Sequence, residues 1–278
     1  MITSRDKLIE ALGNNNSRIV LDKASIANQI AGRFCSLWRA TGGSPGQGAI
    51  PTTAAVPTKA TAGAIGFTNQ TAPATSYIAS LQASCSNAVT NLEIHDRLAH
   101  NGGLVLNVIT SQTTNLPMDV LTLAVPAARY SDANYSDLNW WLEMYADGGA
   151  TASNATINVT YSDATTGNLN VLAVGGTLRA GMLLSLDGLR PVDKQAVYIR
   201  GINSVILSAS TAVAGNFGFT ATRLRCAVQM PVANYQTKED WASLGLPEVP
   251  NDACLMLMTM SASTSSGTIR GTGKITHG

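Results

Sequence analysis

Acid–base chemistry in this 278-residue chain would have to begin at one of its three histidines, His95, His100 and His277. Only His95 has acids beside it, in the run Glu93-Ile94-His95-Asp96. On a strand Glu93 and His95 share one face while Asp96 takes the other, so these three do not by themselves build a compact triad. A catalytic histidine also needs a nucleophile and an orienting acid within hydrogen-bond reach, and no spacing in the chain supplies them. A structural or surface role is therefore predicted for His95 and His100. No G-x-S-x-G, phosphate-binding loop, H-E-x-x-H or dinucleotide fingerprint is present. Cys35, Cys85, Cys226 and Cys254 are scattered, with no C-x-x-C and no paired histidines, which argues against zinc or redox chemistry. They are expected to be buried free thiols, with an intra-chain or inter-subunit disulfide as the alternative. Arg223 and Arg225 share one strand face but are too small a patch for a phosphate-tracking groove. The expectation is no catalytic residue, no cofactor, no metal and no direct nucleic-acid partner.

The elements that would position side chains divide into three regions. Residues 1–40 are expected to be a helical arm. Leu8, Ile9 and Leu12 fall at helical spacing, Asn14-Asn15-Asn16 breaks the run, and Ile26, Ile30, Phe34, Leu37 and Trp38 recur at three to four residues after a cap at Asp22 or Ser25. From residue 76 the chain turns to short apolar runs rich in Val, Ile, Leu, Thr and Tyr between Gly, Asn, Asp and Ser clusters, the pattern of a β-sandwich. The clearest strand is 155–162, where Ile157, Val159 and Tyr161 face one way and Thr156, Asn158, Thr160 and Ser162 the other. Further strands are expected over 77–85, 91–97, 104–110, 139–145, 182–186, 196–202, 205–209, 223–229 and 253–260. Leu255, Met256, Leu257, Met258 and Met260 are apolar on both faces, which predicts a central strand or one whose outer face is covered by another subunit. Trp140 and Trp141 are adjacent, so on a strand they point to opposite faces, and only one of them is expected to enter the core.

Between these regions Ala40–Leu92 runs for 53 residues with one charged side chain, Lys59. Ile50, Val56, Ile65, Phe67, Tyr77, Ile78 and Leu81 punctuate this nearly neutral stretch, whereas disordered linkers are usually more charged and less apolar. Pro45, Pro51, Pro57 and Pro73 oppose helix, so residues 41–75 are expected to form an extended strap lying against a subunit surface. Fully extended, it would reach on the order of 100 Å. Charged residues make up 13% of the chain and its net charge is +1, a balance that favours association. No run of about 18 apolar residues exists to span a membrane, and the charged start argues against a cleaved leader. The acceptor patterns at Asn69, Asn154 and Asn158 are then expected to be chance matches. Sugar binding through exposed Trp, Tyr and Asn of a sandwich stays open.

Three runs, Phe34-Cys35-Ser36-Leu37-Trp38-Arg39-Ala40-Thr41-Gly42-Gly43, Ala62-Gly63-Ala64-Ile65-Gly66-Phe67-Thr68-Asn69 and Leu92-Glu93-Ile94-His95-Asp96-Arg97-Leu98-Ala99-His100-Asn101-Gly102-Gly103-Leu104, together with Asn139-Trp140-Trp141-Leu142-Glu143-Met144-Tyr145, resemble virion structural proteins of tailed bacteriophages. The resemblance covers roughly residues 30–165 and carries no catalytic residue. It implies a non-enzymatic outer capsid or tail subunit made in the bacterial host cytoplasm, repeated many times and often trimeric. The expected fold is mainly β: a jelly-roll-like β-sandwich body over 76–278, an N-terminal helical arm over 1–40 and an extended strap over 41–75. The expected function is capsid decoration, with the major capsid protein and copies of itself as partners. The contact residues would be Phe34, Leu37, Trp38, Ile50, Val56, Ile65, Phe67, Trp140 and Trp141. A tail or baseplate subunit, or a receptor- or glycan-binding virion module, are the alternatives.

Overall fold

A computed structural model describes residues 2–14, 16–176 and 178–278. The protein is mainly β, 42% strand and 8% helix, built from several antiparallel sheets. In chain order the elements are α1 (Arg5–Asn14), β1 (Asn16–Lys23), β2 (Phe34–Ser36), β3 (Ser76–Cys85), β4 (Thr90–His100), β5 (Met118–Asp119), β6 (Asn139–Ala146), β7 (Ala152–Tyr161), β8 (Thr166–Asn168), β9 (Leu172–Gly175), β10 (Met182–Ser185), β11 (Ile199–Leu207), β12 (Asn216–Met230), β13 (Thr237–Asp240), α2 (Trp241–Leu244), β14 (Glu248–Val249), β15 (Leu255–Ser261) and β16 (Ile269–His277). Two compact units share these elements. One holds residues 1–49, 58–96 and 224–278, the other residues 50–57 and 97–223, and β4 and β12 each run from one unit into the other.

In the first unit β1, β16, β3 and β13 form an antiparallel sheet in that order, with β14 also on β3. A second group pairs β15 with β2 on one side and β4 on the other. β15 is therefore central, as its two apolar faces predict, and Leu255, Met256, Leu257 and Met258 are all buried. Ile19, Leu21, Ile78, Leu81, Leu92, Ile94, Leu257 and Ile275 belong to this unit's apolar core.

The N-terminal region departs from the helical expectation. Only Arg5–Asn14 is helical, and Asn15, inside the predicted break, lies outside the described residues. Asn16–Lys23 then pairs residue for residue with β16, from Asn16↔Thr276 to Lys23↔Ile269. Its alternating burial, with Ile19, Leu21 and Lys23 inward, is a strand period hidden by short length. The second predicted helix is also absent. Asn28 and Gly32 take left-handed backbone angles that interrupt any helix. Ile26, Gln29 and Gly32 donate instead to Ser266 Oγ and the carbonyls of Thr264 and Ser261, so a loop claims the donors a helix would use.

The strap folds back onto its own chain. Within the first unit Trp38 Nε1 donates to Ala49 O at 2.8 Å, and Ile65 pairs with Leu255. Gly48 and Gly63 lie so close to the Trp38 ring that a Cβ on Gly48 would overlap it. Lys23, itself buried, donates to the carbonyls of Ala40, Pro45 and Gly46 at 2.8, 3.0 and 3.2 Å. Lys59 bonds Phe67 O at 3.0 Å and sits over its ring. Residues 50–57 belong to the second unit, where Ala55 exchanges backbone bonds with His100.

In the second unit β6 pairs with β10 and β12, while β5, β11, β7 and β8 form a sheet in that order with β9 also on β7. The strand expected over 104–110 is replaced by a single bridge from Leu104 to Phe217. Those expected over 196–202 and 205–209 are one strand, β11, that carries two bulges.

Candidate binding surfaces

The residues with chemical potential are committed to structure. His95 Nε2 donates to Glu93 Oε2 at 2.8 Å, and Asn91 Nδ2 donates to the other oxygen of that carboxylate at 2.6 Å. Asp96, fully buried, accepts from Arg225 Nη2 at 3.0 Å and from Cys254 N at 2.9 Å. Neighbouring positions on β4 thus serve opposite faces, as the strand period requires.

A second buried group lies in the other unit. Glu143 Oε2 accepts from Arg97 Nη2 at 2.5 Å, Thr220 Oγ1 at 2.6 Å and Tyr145 Oη at 3.1 Å, while Arg97 and Glu143 are 0% and 1% exposed. Burial pushes the Tyr145 phenol up, so it stays a neutral donor. Arg129, also buried, bonds the carbonyls of Pro57 and Arg97 at 2.9 and 2.8 Å. Burial and the Arg97 charge push His100 down to about 2, so its imidazole is neutral. These groups fix strands to one another. Among the described residues no cluster of three or more His, Cys, Asp or Glu is placed to hold a metal ion, and all four cysteines are buried outside any disulfide.

The nine residues expected at a subunit contact are distributed unevenly. Phe34, Ile50 and Val56 are partly exposed. Leu37, Trp38, Ile65, Phe67, Trp140 and Trp141 are buried within the chain, which leaves them almost no surface for a neighbour. For the tryptophans this corrects the expectation that one ring stays outside the core. Trp140 is 0% exposed and its Nε1 donates to Ile199 O at 2.8 Å. Trp141 is 6% exposed and donates to Thr222 Oγ1 at 2.9 Å. β6 is buried on both faces, so side chains of both parities are interior.

Two surfaces among the described residues have a built polar or apolar character. The first, in unit one, gathers the loop before β4 and the loop after β12. Val89 N donates to Pro231 O and Asn234 N to Cys85 O, which brings Val89, Val232 and Tyr235 together at 65%, 55% and 66% exposure. Val89, Asn91, Met230, Pro231 and Met260 line a small pocket there. Val89 holds φ at +49°, a left-handed angle that is costly for a β-branched residue.

The second surface is the outward face of β7, β8 and β11 in unit two. Asn203 Nδ2 donates to Asn158 Oδ1 at 3.0 Å, and Asn158 Nδ2 donates to Asn168 Oδ1 at 2.8 Å. Thr160 Oγ1 donates to Asn203 Oδ1 at 3.1 Å. A row of amides therefore crosses three adjacent strands, with Thr156 and Ile206 paired beside it. Asn158 and Thr160 were legible as outward residues from their alternation. Asn168 and Asn203 were not, because their place beside Asn158 depends on strand pairing and on a β11 bulge.

No family model matches the sequence, and no curated protein matches it. Solved structures that align with it include those of infectious bursal disease virus. The Gx strain structure is 11% identical, covers 95% of this chain and 81% of the other, and has a TM-score of 0.17. The VP2 subviral particle is 12% identical over 95% of this chain and 80% of the other, with a TM-score of 0.15. Scores this low carry no argument about what the chain does.

Proposed function

We propose that this protein is a structural subunit of a virus particle, a decoration or cement protein on a phage head, that works by binding and not by chemistry. The observation that carries the reading is the exposed apolar patch of Val89, Val232 and Tyr235, built on a strained Val89 in a chain whose other large aromatics are mostly buried. Contiguous apolar surface and stored backbone strain both mark places where another surface docks. The sparse charge of the chain, 13% of residues, favours the same outcome because little repulsion opposes close packing of copies. The resemblance of residues 30–165 to tailed-phage virion proteins supplies the particle, and the jelly-roll-like body, homotrimer and outer-surface location expected from it belong to this proposal.

In this reading the strap stiffens the subunit and the apolar patch makes the contact with the shell. Undecorated phage shells incubated with purified protein test it. The wild-type chain should bind in many copies, and the double variant V232D/Y235D should melt normally yet lose at least tenfold in occupancy. Full occupancy by that variant would remove the patch from the contact, and failure of the wild-type chain to bind would favour a tail or baseplate position.

A further inference from the structure

We infer that the amide row on β11, β7 and β8 is a binding site for a neutral, extended polysaccharide. Each primary amide offers two donors and two lone pairs. Asn158 spends one donor on Asn168 and one lone pair on Asn203, which leaves one of each for a ligand. Asn168, exposed on β8, uses only its oxygen, so both of its N–H groups stay free. The mutual bonds lock the three amides in one orientation before any ligand arrives, and such preorganisation lowers the entropy lost on binding.

Spacing and charge select the ligand. Neighbouring strands lie about 4.8 Å apart, so the three amides repeat at that interval across the sheet. A 1,4-linked pyranose chain lying across the strands repeats at nearly the same spacing and sets one sugar over each amide. The outward side chains of this patch, Thr156, Asn158, Thr166, Asn168, Asn203 and Ser204, carry no charge, which matches hydroxyl groups. The cations at its border, Lys194 beside Thr165 and Arg200 on β11, are paired with Asp163 and Asp119, so neither offers an unpaired charge to a sulfate or carboxylate. Ile206, 44% exposed and paired with Thr156, supplies an apolar surface for the face of a sugar ring.

Isothermal titration of the full chain with cellohexaose and chitohexaose tests this, with a heparin hexasaccharide as the charged comparison. Saturable binding of at least one neutral hexasaccharide is expected, with none of heparin. N158A and, on the exposed edge strand, N168A should each weaken it at least tenfold with an unchanged melting temperature. If N158A disturbs the fold, N168A alone decides. No binding of either neutral sugar, equal binding of heparin, or full affinity in N168A would overturn the inference. Shell attachment through Val232 and Tyr235 is read separately, so either proposal can fail without the other.

Discussion

Removing the Glu143 carboxylate should be among the most damaging single changes in the second unit. Three donors converge on Oε2, from Arg97, Thr220 and Tyr145, and Arg97 is completely buried. In E143A the guanidinium keeps its charge but loses the carboxylate, and breaking a buried pair from one side costs about 3–5 kcal/mol. For a chain of this size each kcal/mol lowers the melting temperature by about 2–4 °C, so a fall of roughly 6–20 °C is expected. R97M removes the charge and leaves Glu143 with two neutral donors, Thr220 and Tyr145. The double variant R97M/E143L replaces both ions with apolar groups and should be much less damaged than the sum of the single variants. Urea unfolding midpoints of the four proteins, with slopes compared to confirm that the same surface unfolds, give the coupling energy directly. A loss below about 1 kcal/mol in E143A, or strict additivity in the cycle, would refute the claim that these side chains act as one unit.

Other predictions concern single groups. His100 is held neutral in the fold with its pKa pushed down to about 2, so below its ordinary value of 6.5 the unfolded chain binds the extra proton. Its contribution is intact above pH 6.5 and is lost as pH falls, by about 1.4 kcal/mol per unit, and H100N should flatten the fall in urea midpoint between pH 6.5 and 4.5. Asp187 runs the other way. Burial raises its pKa from 3.8 to about 6, so the folded state binds more protons between those values and stability falls as pH rises through them. D187N keeps an oxygen for the Trp140 N–H and should raise stability by up to about 3 kcal/mol at pH 7.5 but not at pH 3.5. V89G relieves the left-handed strain and should hold or raise the melting temperature while weakening shell binding. Deleting residues 1–75, which the strap-and-body expectation treats as harmless to folding, should instead unfold the first unit. It removes β1 from β16 together with Trp38, Ile65 and Phe67, and a melt with wild-type cooperativity would contradict that.

Legibility in the sequence followed how local the determining physics was. β7 was readable because Ile157, Val159 and Tyr161 alternate with polar residues over a full strand. β15 was readable because both of its faces are apolar, and β6 because its aromatic run has no competing helical period. The segment around Ile26, Ile30 and Phe34 misled because its three-to-four spacing matches a helix, while the left-handed angles at Asn28 and Gly32 and the capture of its donors by residues 261–266 come from tertiary structure. β16 lies in a Ser/Thr/Gly-rich tail, 261–278, that reads equally as a final hairpin or a mobile arm, since Gly271 and Gly273 interrupt its apolar pattern, and both sit where a Cβ would press on the neighbouring strand. The apolar character of the strap was legible, but its target was not. Whether Trp38 and Ile65 cover this chain or a neighbour depends on contacts with Ala49 and Leu255 that no local pattern encodes.

The chain's few charges and their placement have a joint consequence. Of 18 cationic and 17 anionic side chains, seven among the described residues are buried: Lys23, Asp96, Arg97, Asp119, Arg129, Glu143 and Arg225. Burial of so many charges is tolerable only because the cations meet carboxylates and carbonyls while the anions meet guanidinium, hydroxyl and backbone N–H donors, as at Lys23, Glu143, Asp96 and Asp119. The interior thereby gains directional bonds that fix which strands may lie together. The exterior loses the repulsion that keeps ordinary domains apart and gains faces, such as the Asn203–Asn158–Asn168 row, that bond through neutral groups alone. Interactions made by such a face should be nearly insensitive to salt, because no counterions are displaced and no long-range attraction is screened. Titrations of cellohexaose or chitohexaose at 50 mM and 500 mM sodium chloride should therefore give the same affinity within about twofold, and a tenfold loss at the higher salt would show that charges outside this row carry the binding.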